Sequence, residues 1–241
     1  MKVILVGAGP GDEELITIKG LNAIKNADVI VYDDLIGKNL LKNAKVDVEL
    51  IYVGKRKGKH SYNQEDINKI LVEKAKENKT VVRLKGGDPF IFGRGGEEIL
   101  YLKKHGIPYE VVPGITSAIA VPEVANIPLT HRKVSTSFTV VTGHEAEDKE
   151  NKQVKLKDLN SDTIVILMGI SNLKNHVNEL LKNPRRNENT PVAIITNGTK
   201  ENQKIVRGTL GNIVKKAEEN DIRPPGVIVI GDVVNVLYKN P

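Results

Sequence analysis

Arg83-Leu-Lys-Gly-Gly-Asp-Pro-Phe-Ile-Phe-Gly-Arg-Gly-Gly-Glu-Glu98 is the stretch on which the reading of this chain turns. It continues a β-branched run, Thr80 to Val82, that predicts a strand, and it precedes Ile99-Leu-Tyr-Leu102, whose apolar spacing predicts a helix. From Lys85 to Glu98 the chain packs five glycines, two basic residues and three carboxylates into one connection. An ordinary strand-to-helix connector needs only about two to six residues and one turn signal. A surplus of glycine means that the backbone approaches something closely, or takes positive φ, more than once. Open α/β sheets bind ligands in loops at the carboxyl ends of their strands. This loop is therefore the first candidate site.

Working outward, strand and helix patterns alternate. Strands are expected at Val3–Val6, Val29–Tyr32, Thr80–Leu84 and Tyr109–Val112, with helices at Thr17–Lys25, Glu65–Glu77 and Glu97–Lys104. The helix at Glu65 carries Ile67, Ile70, Leu71 and Ala75 on one face. Such alternation predicts a largely parallel sheet covered by helices. After Pro113-Gly114 a short helix, Ser117 to Val124, should be broken by Pro122. The pattern then restarts, with strands at Phe138–Thr142, Thr163–Leu167, Val192–Thr196, Lys204–Arg207 and Val227–Ile230. Helices are expected at Leu173–Leu181 and Thr209–Glu219, an exposed charged loop at Glu145 to Lys157 and a polar connector at Arg185 to Asn189. The fold class expected is α/β, in two lobes of residues 1–113 and 114–241.

The chain has 241 residues, 39% of them hydrophobic and 27% charged, as in a protein that buries a real core. With no cysteine, disulfides, thiolate metal sites and cysteine nucleophiles are excluded, and a cytoplasmic location is expected. No apolar run approaches the ~20 residues of a membrane span, and the apolar start Val3–Val6 reads as a first strand rather than a leader. The net charge of +6 allows nucleic-acid binding, but the basic residues are spread along the chain and not interleaved with the nine Phe and Tyr residues. A solvated lysine surface, or steering of a strongly anionic small substrate, fits better.

Gly7-Ala-Gly-Pro-Gly-Asp12 follows the first strand but is no dinucleotide fingerprint. The third glycine is replaced by Asp12, Pro10 removes a donor, and Asp12-Glu-Glu14 would oppose a pyrophosphate. A tight turn with acidic residues at a helix start is an equally good account; a ligand here should be neutral or cationic. Neither glycine loop carries Gly-Lys-Ser or Gly-Lys-Thr, so there is no P-loop. Asp88-Pro89 could simply begin a helix, and Glu97 and Glu98 could be ordinary first-turn residues. That account leaves Gly86, Gly87, Gly93, Gly95 and Gly96 unexplained. His131, His144 and Glu145 lack metal-ligand spacing, so no metal is expected. The absence of Gly-x-Ser-x-Gly argues against acyl-transfer chemistry.

Together, Val6-Gly-Ala-Gly-Pro-Gly-Asp12, Ala27-Asp-Val-Ile-Val-Tyr-Asp33, Val53-Gly-Lys-Arg56, the Arg83–Glu98 block, Val112-Pro-Gly-Ile-Thr-Ser-Ala118, Ile127-Pro-Leu-Thr-His-Arg132 and Thr142-Gly-His144 resemble the uroporphyrinogen-III C-methyltransferases of the tetrapyrrole methylase family. The resemblance spans essentially the whole chain, in order. It implies the two-lobed tetrapyrrole methylase fold, each lobe a mixed or mostly parallel sheet covered by helices, with the site in the cleft between lobes and a homodimer as the assembly. It implies S-adenosyl-L-methionine as methyl donor, released as S-adenosyl-L-homocysteine, with no metal, no nucleic acid and no membrane partner. A sulfonium is cationic, which agrees with the acidic Asp12–Glu14 turn. By motif, donor contacts fall on Pro10, Gly86, Gly87, Asp88, Ile91, Thr116, Ser117, Met168 and Ala193. Catalytic and substrate roles fall on Asp33, Arg94, Glu97 and Arg132.

The reaction implied is two methylations of uroporphyrinogen III, at ring carbons 2 and 7, giving precorrin-2 for sirohaem- and cobalamin-type synthesis. A guanidinium stays protonated, so Arg94 is a poor proton acceptor. Arg94 and Arg132 are expected to clamp substrate carboxylates, with Glu97 orienting Arg94 and Asp33 or solvent taking the proton. Two rivals stay open on the sequence: a related methylase acting on a later precorrin, and a basic RNA-binding α/β protein.

Overall fold

The computed structural model of the chain describes residues 1–54, 62–144 and 154–238. Lys55 and Arg56 of the Val53–Arg56 motif, and residues 145–153 of the expected charged loop, lie outside the described residues. The chain divides into two compact units, Met1–Thr116 and Ser117–Pro241.

In the first unit the order is β1 (Lys2–Gly7), α1 (Ile18–Lys25), β2 (Val29–Tyr32), β3 (Glu49–Tyr52), α2 (Gln64–Lys76), β4 (Thr80–Lys85), α3 (Gly95–Lys104) and β5 (Tyr109–Val112). The sheet order is β3-β2-β4-β1-β5, and every pairing is parallel. A parallel sheet must be covered on both faces, so its strands are apolar on both sides. Val3, Leu5, Val29, Val31 and Val81 pack against α2 and α3 through Ile67, Leu71, Ile99 and Leu102. Ile4, Val6, Ile30, Val82 and Leu84 pack against Ile24 of α1 and Leu40 of the 3-10 turn that follows β2. Helix starts are set locally. The Thr17 hydroxyl accepts from Gly20 N–H at the head of α1, and Asn63 and Asp66 form a capping box on α2.

The strand order has a functional consequence. From β1 the chain crosses to β2 by way of α1, and from β4 it crosses the other way to β5 by way of α3, on the opposite face of the sheet. The loops leaving the adjacent strands β1 and β4 therefore part at their carboxyl ends, which opens a topological switch point there. Three strand ends meet at it. A Cβ on Gly7 would stand 2.5 Å from Gly114 Cα and 2.7 Å from the Gly87 carbonyl oxygen. Ala8 N–H donates to Lys85 O at 2.7 Å, and Gly9 and Gly87 exchange backbone hydrogen bonds.

In the second unit the order is α4 (Ser117–Val124), β6 (Phe138–Thr142), β7 (Thr163–Leu167), α5 (Leu173–Leu180), β8 (Pro191–Thr196), β9 (Lys204–Thr209), α6 (Ile213–Glu219) and β10 (Gly226–Ile230). The sheet order is β6-β7-β10-β8-β9. Here β6 and β7 are parallel, while β10 runs antiparallel to β7 and β8, and β9 antiparallel to β8. This second sheet is mixed, within the fold class expected. Its residues alternate cleanly. Val165, Leu167, Ala193, Ile195, Val227 and Val229 face α4, and Ile164, Ile166, Val192, Ile194, Ile228 and Ile230 face α5 and α6.

Two local expectations need correction, and one strand was not expected. Pro122 does not break α4, which runs through it to Val124. Ala118, Val121 and Ala125 pack into the apolar layer and hold the segment helical, and the Pro122 carbonyl accepts from Ala125 and Ile127 N–H beyond the helix end. Thr209 closes β9 rather than opening α6, because the strand pairs with β8 through Pro191 opposite Thr209. The edge strand β3 carries no clear alternation, and only its pairing with β2 makes it a strand.

The strand-end packing makes a direct prediction. Gly7→Ala forces a methyl into backbone atoms and should destabilise the chain by about 1–3 kcal/mol or more in urea unfolding. Gly96→Ala meets nothing within 4 Å and lies in the first turn of α3, so it should be neutral or stabilising by up to about 1 kcal/mol. Equal effects of the two substitutions would contradict this packing.

Candidate active site

The sequence-predicted residues of the first unit gather around the switch point. Pro10 follows β1 in the turn that continues into the acidic 3-10 segment Glu13–Leu15, with Asp12 capping it by accepting from Glu14 N–H. Gly86, Gly87 and Asp88 leave the end of β4. A Cβ on Gly86 would meet the Leu35 side chain at 2.5 Å, so the loop after β2 abuts the same turn. Asp88 is no helix cap, since α3 begins only at Gly95. Its Oδ1 accepts from Phe90 N–H at 2.8 Å and its Oδ2 from Gly114 N–H at 3.1 Å. One carboxylate thus ties the β4–α3 loop to the segment leaving β5, and its second bond spans 26 positions of the chain. Thr116 closes this unit two residues later.

Between Asp88 and α3 the loop presents Phe90, Ile91 and Phe92 to solvent. Phe92 and Arg94 both take positive φ, 53° and 58°, a conformation costly for side-chain-bearing residues. Arg94 Nε donates to Glu97 Oε1 at 2.9 Å and Nη2 to Oε2 at 2.6 Å, a two-pronged pair in which both side chains are about half exposed. Glu97 raises the Arg94 pKa, and Arg94 holds the Glu97 carboxyl below its ordinary range. The planar cation is therefore held in one orientation, still exposed to solvent.

Asp33 follows directly on β2. Its Oδ1 accepts from Leu35 N–H at 3.1 Å and its Oδ2 from Arg83 Nη2 at 3.2 Å. Behind it lies a buried charge cluster that single-motif reasoning passes over. Arg83 and Lys85 alternate on one side of β4 and are almost wholly buried, as is Glu98 of α3, with no exposed surface at all. Glu98 Oε1 accepts from Lys85 Nζ at 2.9 Å, Arg83 Nε at 3.2 Å and Gln64 Nε2 at 3.3 Å. Burial, with the Arg83 charge beside it, pushes the Lys85 pKa below the ordinary lysine value despite Glu98. The signal for this cluster was present in the sequence: two cations at alternate positions in a strand that otherwise reads as apolar.

In the second unit, Ser117 opens α4 and Arg132 is exposed in a tight turn closed by His131 N–H donating to Ser135 O. Strands β6, β7 and β8 point the same way, and their ends continue into Gly143, Met168 and Asn197. Met168 and Asn197 both take positive φ, 56° and 49°, and Met168 is half exposed. Gly198, beside Asn197, packs where any Cβ would strike Val121 of α4. Ala193 lies on the strand expected, inside β8, paired with Val229 and Arg207, with its methyl wholly buried against the α4 layer. Asn197, at the strand end, is the residue that alternation alone did not single out. Among the described residues, no group of His, Asp and Glu side chains could hold a metal ion.

The family model described as tetrapyrrole (corrin/porphyrin) methylases matches residues 2–214. A uroporphyrinogen-III C-methyltransferase of Methanocaldococcus jannaschii is 77% identical over 236 residues, covering 98% of each chain. The crystal structure of uroporphyrin-III C-methyl transferase from Thermus thermophilus complexed with S-adenyl homocysteine superposes with a TM-score of 0.84 at 35% identity, covering 100% of this chain and 96% of that one. A cobalt precorrin-4 methyltransferase superposes as well, with a TM-score of 0.85 at 31% identity over 97% of this chain and 95% of that one.

The Asp88 tie is open to test by amide hydrogen exchange. Asp88→Ala should speed exchange at Phe90 and Gly114 by at least about tenfold, the equivalent of a lost hydrogen bond of 1.5 kcal/mol or more to a charged group. Amides in β2 and β3 should keep their protection. Unchanged exchange at Gly114 would show that Asp88 does not hold the loop.

Proposed function

The chain belongs to the tetrapyrrole methylase family, and from that premise we propose that it is an S-adenosylmethionine-dependent C-methyltransferase acting on uroporphyrinogen III. The observation that carries the choice of substrate is the 77% identity to the Methanocaldococcus enzyme along nearly the whole chain. The fold does not separate this substrate from a later precorrin, because both kinds of methyltransferase superpose equally well. The finer reading is that the substrate is methylated twice, at carbons 2 and 7, to give precorrin-2, by a cytoplasmic homodimer.

The residues present suit the donor. The turn at Gly86–Asp88 exposes backbone at a strand-end crevice where side chains are excluded, and the neighbouring Asp12–Glu14 turn is acidic. That combination disfavours a pyrophosphate and favours a cationic ligand. Pro10, Gly86, Gly87, Asp88, Ile91, Thr116, Ser117 and Met168 are the proposed donor contacts. When bound, S-adenosylmethionine supplies a methyl group activated on a sulfonium, so little acid catalysis is required of the protein. The protein's main task is alignment. Arg94, held flat by Glu97, and Arg132, exposed in its turn, are the proposed two-pronged donors to acetate and propionate carboxylates. Asp33 is the proposed proton acceptor, because a guanidinium cannot serve. A net charge of +6 suits a substrate bearing many carboxylates.

The reading is tested by incubating the protein anaerobically with uroporphyrinogen III and donor, then following product mass and absorbance. Two added methyl groups are expected. Transfer only to a later precorrin, or salt-sensitive RNA binding without donor affinity, would contradict it. The clamp makes a separate prediction. Arg94→Lys keeps the charge but loses the fork, so KM for the tetrapyrrole should rise about tenfold while kcat falls less. Because the Arg94–Glu97 pair is exposed, stability should change by less than about 1 kcal/mol. Unchanged KM with abolished turnover would refute the clamp.

A further inference from the structure

The buried cluster behind Asp33 is difficult to explain as a stabilising device. Apolar side chains of similar volume would fill that face of β4 at least as well, because burying charges costs desolvation energy that pairing does not reliably recover. The rest of the sheet uses Val, Ile and Leu there. Yet Arg83 is held on every side. Its Nε donates to Glu98, its Nη1 to the carbonyls of Val31 at 3.4 Å and Leu84 at 3.1 Å, and its Nη2 to Asp33. The guanidinium is a rigid peg between β2 and β4, and its outermost contact is the partly exposed carboxylate that follows β2.

We infer that Arg83 and Glu98 are positioning residues, which fix the Asp33 carboxylate for its part in the methyl-transfer reaction. The inference rests on the reading of Asp33 as proton acceptor and adds how that acceptor is aimed. Methyl transfer would break the donor's sulfur–methyl bond, release the neutral thioether S-adenosylhomocysteine, form a carbon–carbon bond and leave the macrocycle with one extra positive charge. Breaking one ring-system C–H bond and moving that proton to Asp33 discharges it, and the proton then passes to bulk water. Arg83 occupies Oδ2, whereas among the described residues Oδ1 meets the neutral Leu35 amide alone. Oδ1 is accordingly the oxygen that receives the proton. Glu98 acts one step further back. It fixes Arg83 from the α3 side, as Lys85 and Gln64 fix Glu98. In this arrangement α3 carries both the exposed clamp at its start, Arg94 with Glu97, and the buried anchor, Glu98, in successive positions.

The experiment is a double-mutant cycle on the full chain, with S-adenosylhomocysteine binding measured alongside turnover. Asp33→Asn should lower kcat by at least about a hundredfold. Arg83→Lys, in the Asp33 protein, should lower kcat about tenfold with KM for the tetrapyrrole and Kd for S-adenosylhomocysteine each within about twofold. In the Asp33→Asn background the same substitution should change kcat by less than about twofold. Glu98→Gln, which keeps its volume and an acceptor oxygen, should behave as Arg83→Lys does. Should either variant not fold, the Arg83 Nε–H resonance of the unaltered protein carries the test. It should be resolved and protected from solvent exchange. Full turnover by Asp33→Asn would refute the reading of Asp33 itself. Low turnover in Asp33→Asn, with an undiminished Arg83→Lys effect on top of it, would leave that reading intact and overturn the positioning inference. A freely exchanging Arg83 guanidinium would overturn it as well.

Discussion

The close approach of three backbones at Gly7, Gly87 and Gly114 is the constraint on which the first unit's site depends. Strands β1, β4 and β5 end side by side, and no side chain fits among them. Excluding side chains leaves main-chain amides and carbonyls at the point where the loops from β1 and β4 part to opposite faces, the place where open α/β sheets bind ligands. Asp88 then closes the arrangement by tying the β4–α3 loop to Gly114. A phosphate-binding glycine loop would place free amides at a helix start. Here the residues that follow Pro10 are acidic, and the chemistry on offer is the opposite one.

The same strand, β4, organises the charges. Its apolar start packs into the sheet, its alternate cations Arg83 and Lys85 run into the layer beneath α3, and its end delivers Gly86, Gly87 and Asp88 to the crevice. Helix α3 answers it with Glu98 inward and Glu97 outward, one residue apart. A short segment therefore carries an exposed Arg94–Glu97 pair, a buried charge cluster and a run of backbone that excludes side chains, without a metal-binding cluster among the described residues.

Much of this was legible before any coordinates. The residue pattern located β2, β5, β6 and β7 to the residue, at sheet edges as well as inside the sheets. The surplus of glycine after β4 does reflect close approach at Gly86, Gly93 and Gly95 and positive φ at Gly87. What was not legible depends on distant partners. Glu98 reads as a first-turn acid until Arg83 and Lys85 are seen beneath it. The burial of the Ala193 methyl depends on the register of β8, and the positive φ shared by Met168 and Asn197 emerges only at the ends of β7 and β8, which flank β10 and point the same way. Pro122 misleads because local propensity is overridden by the packing of Ala118, Val121 and Ala125.

The most direct test of the account is to titrate S-adenosylhomocysteine into the isotopically labelled chain and follow backbone amides. The account predicts saturable binding with the largest shifts at Gly86, Gly87, Asp88 and Gly114. Absence of binding, or binding whose shifts avoid that turn, would contradict it.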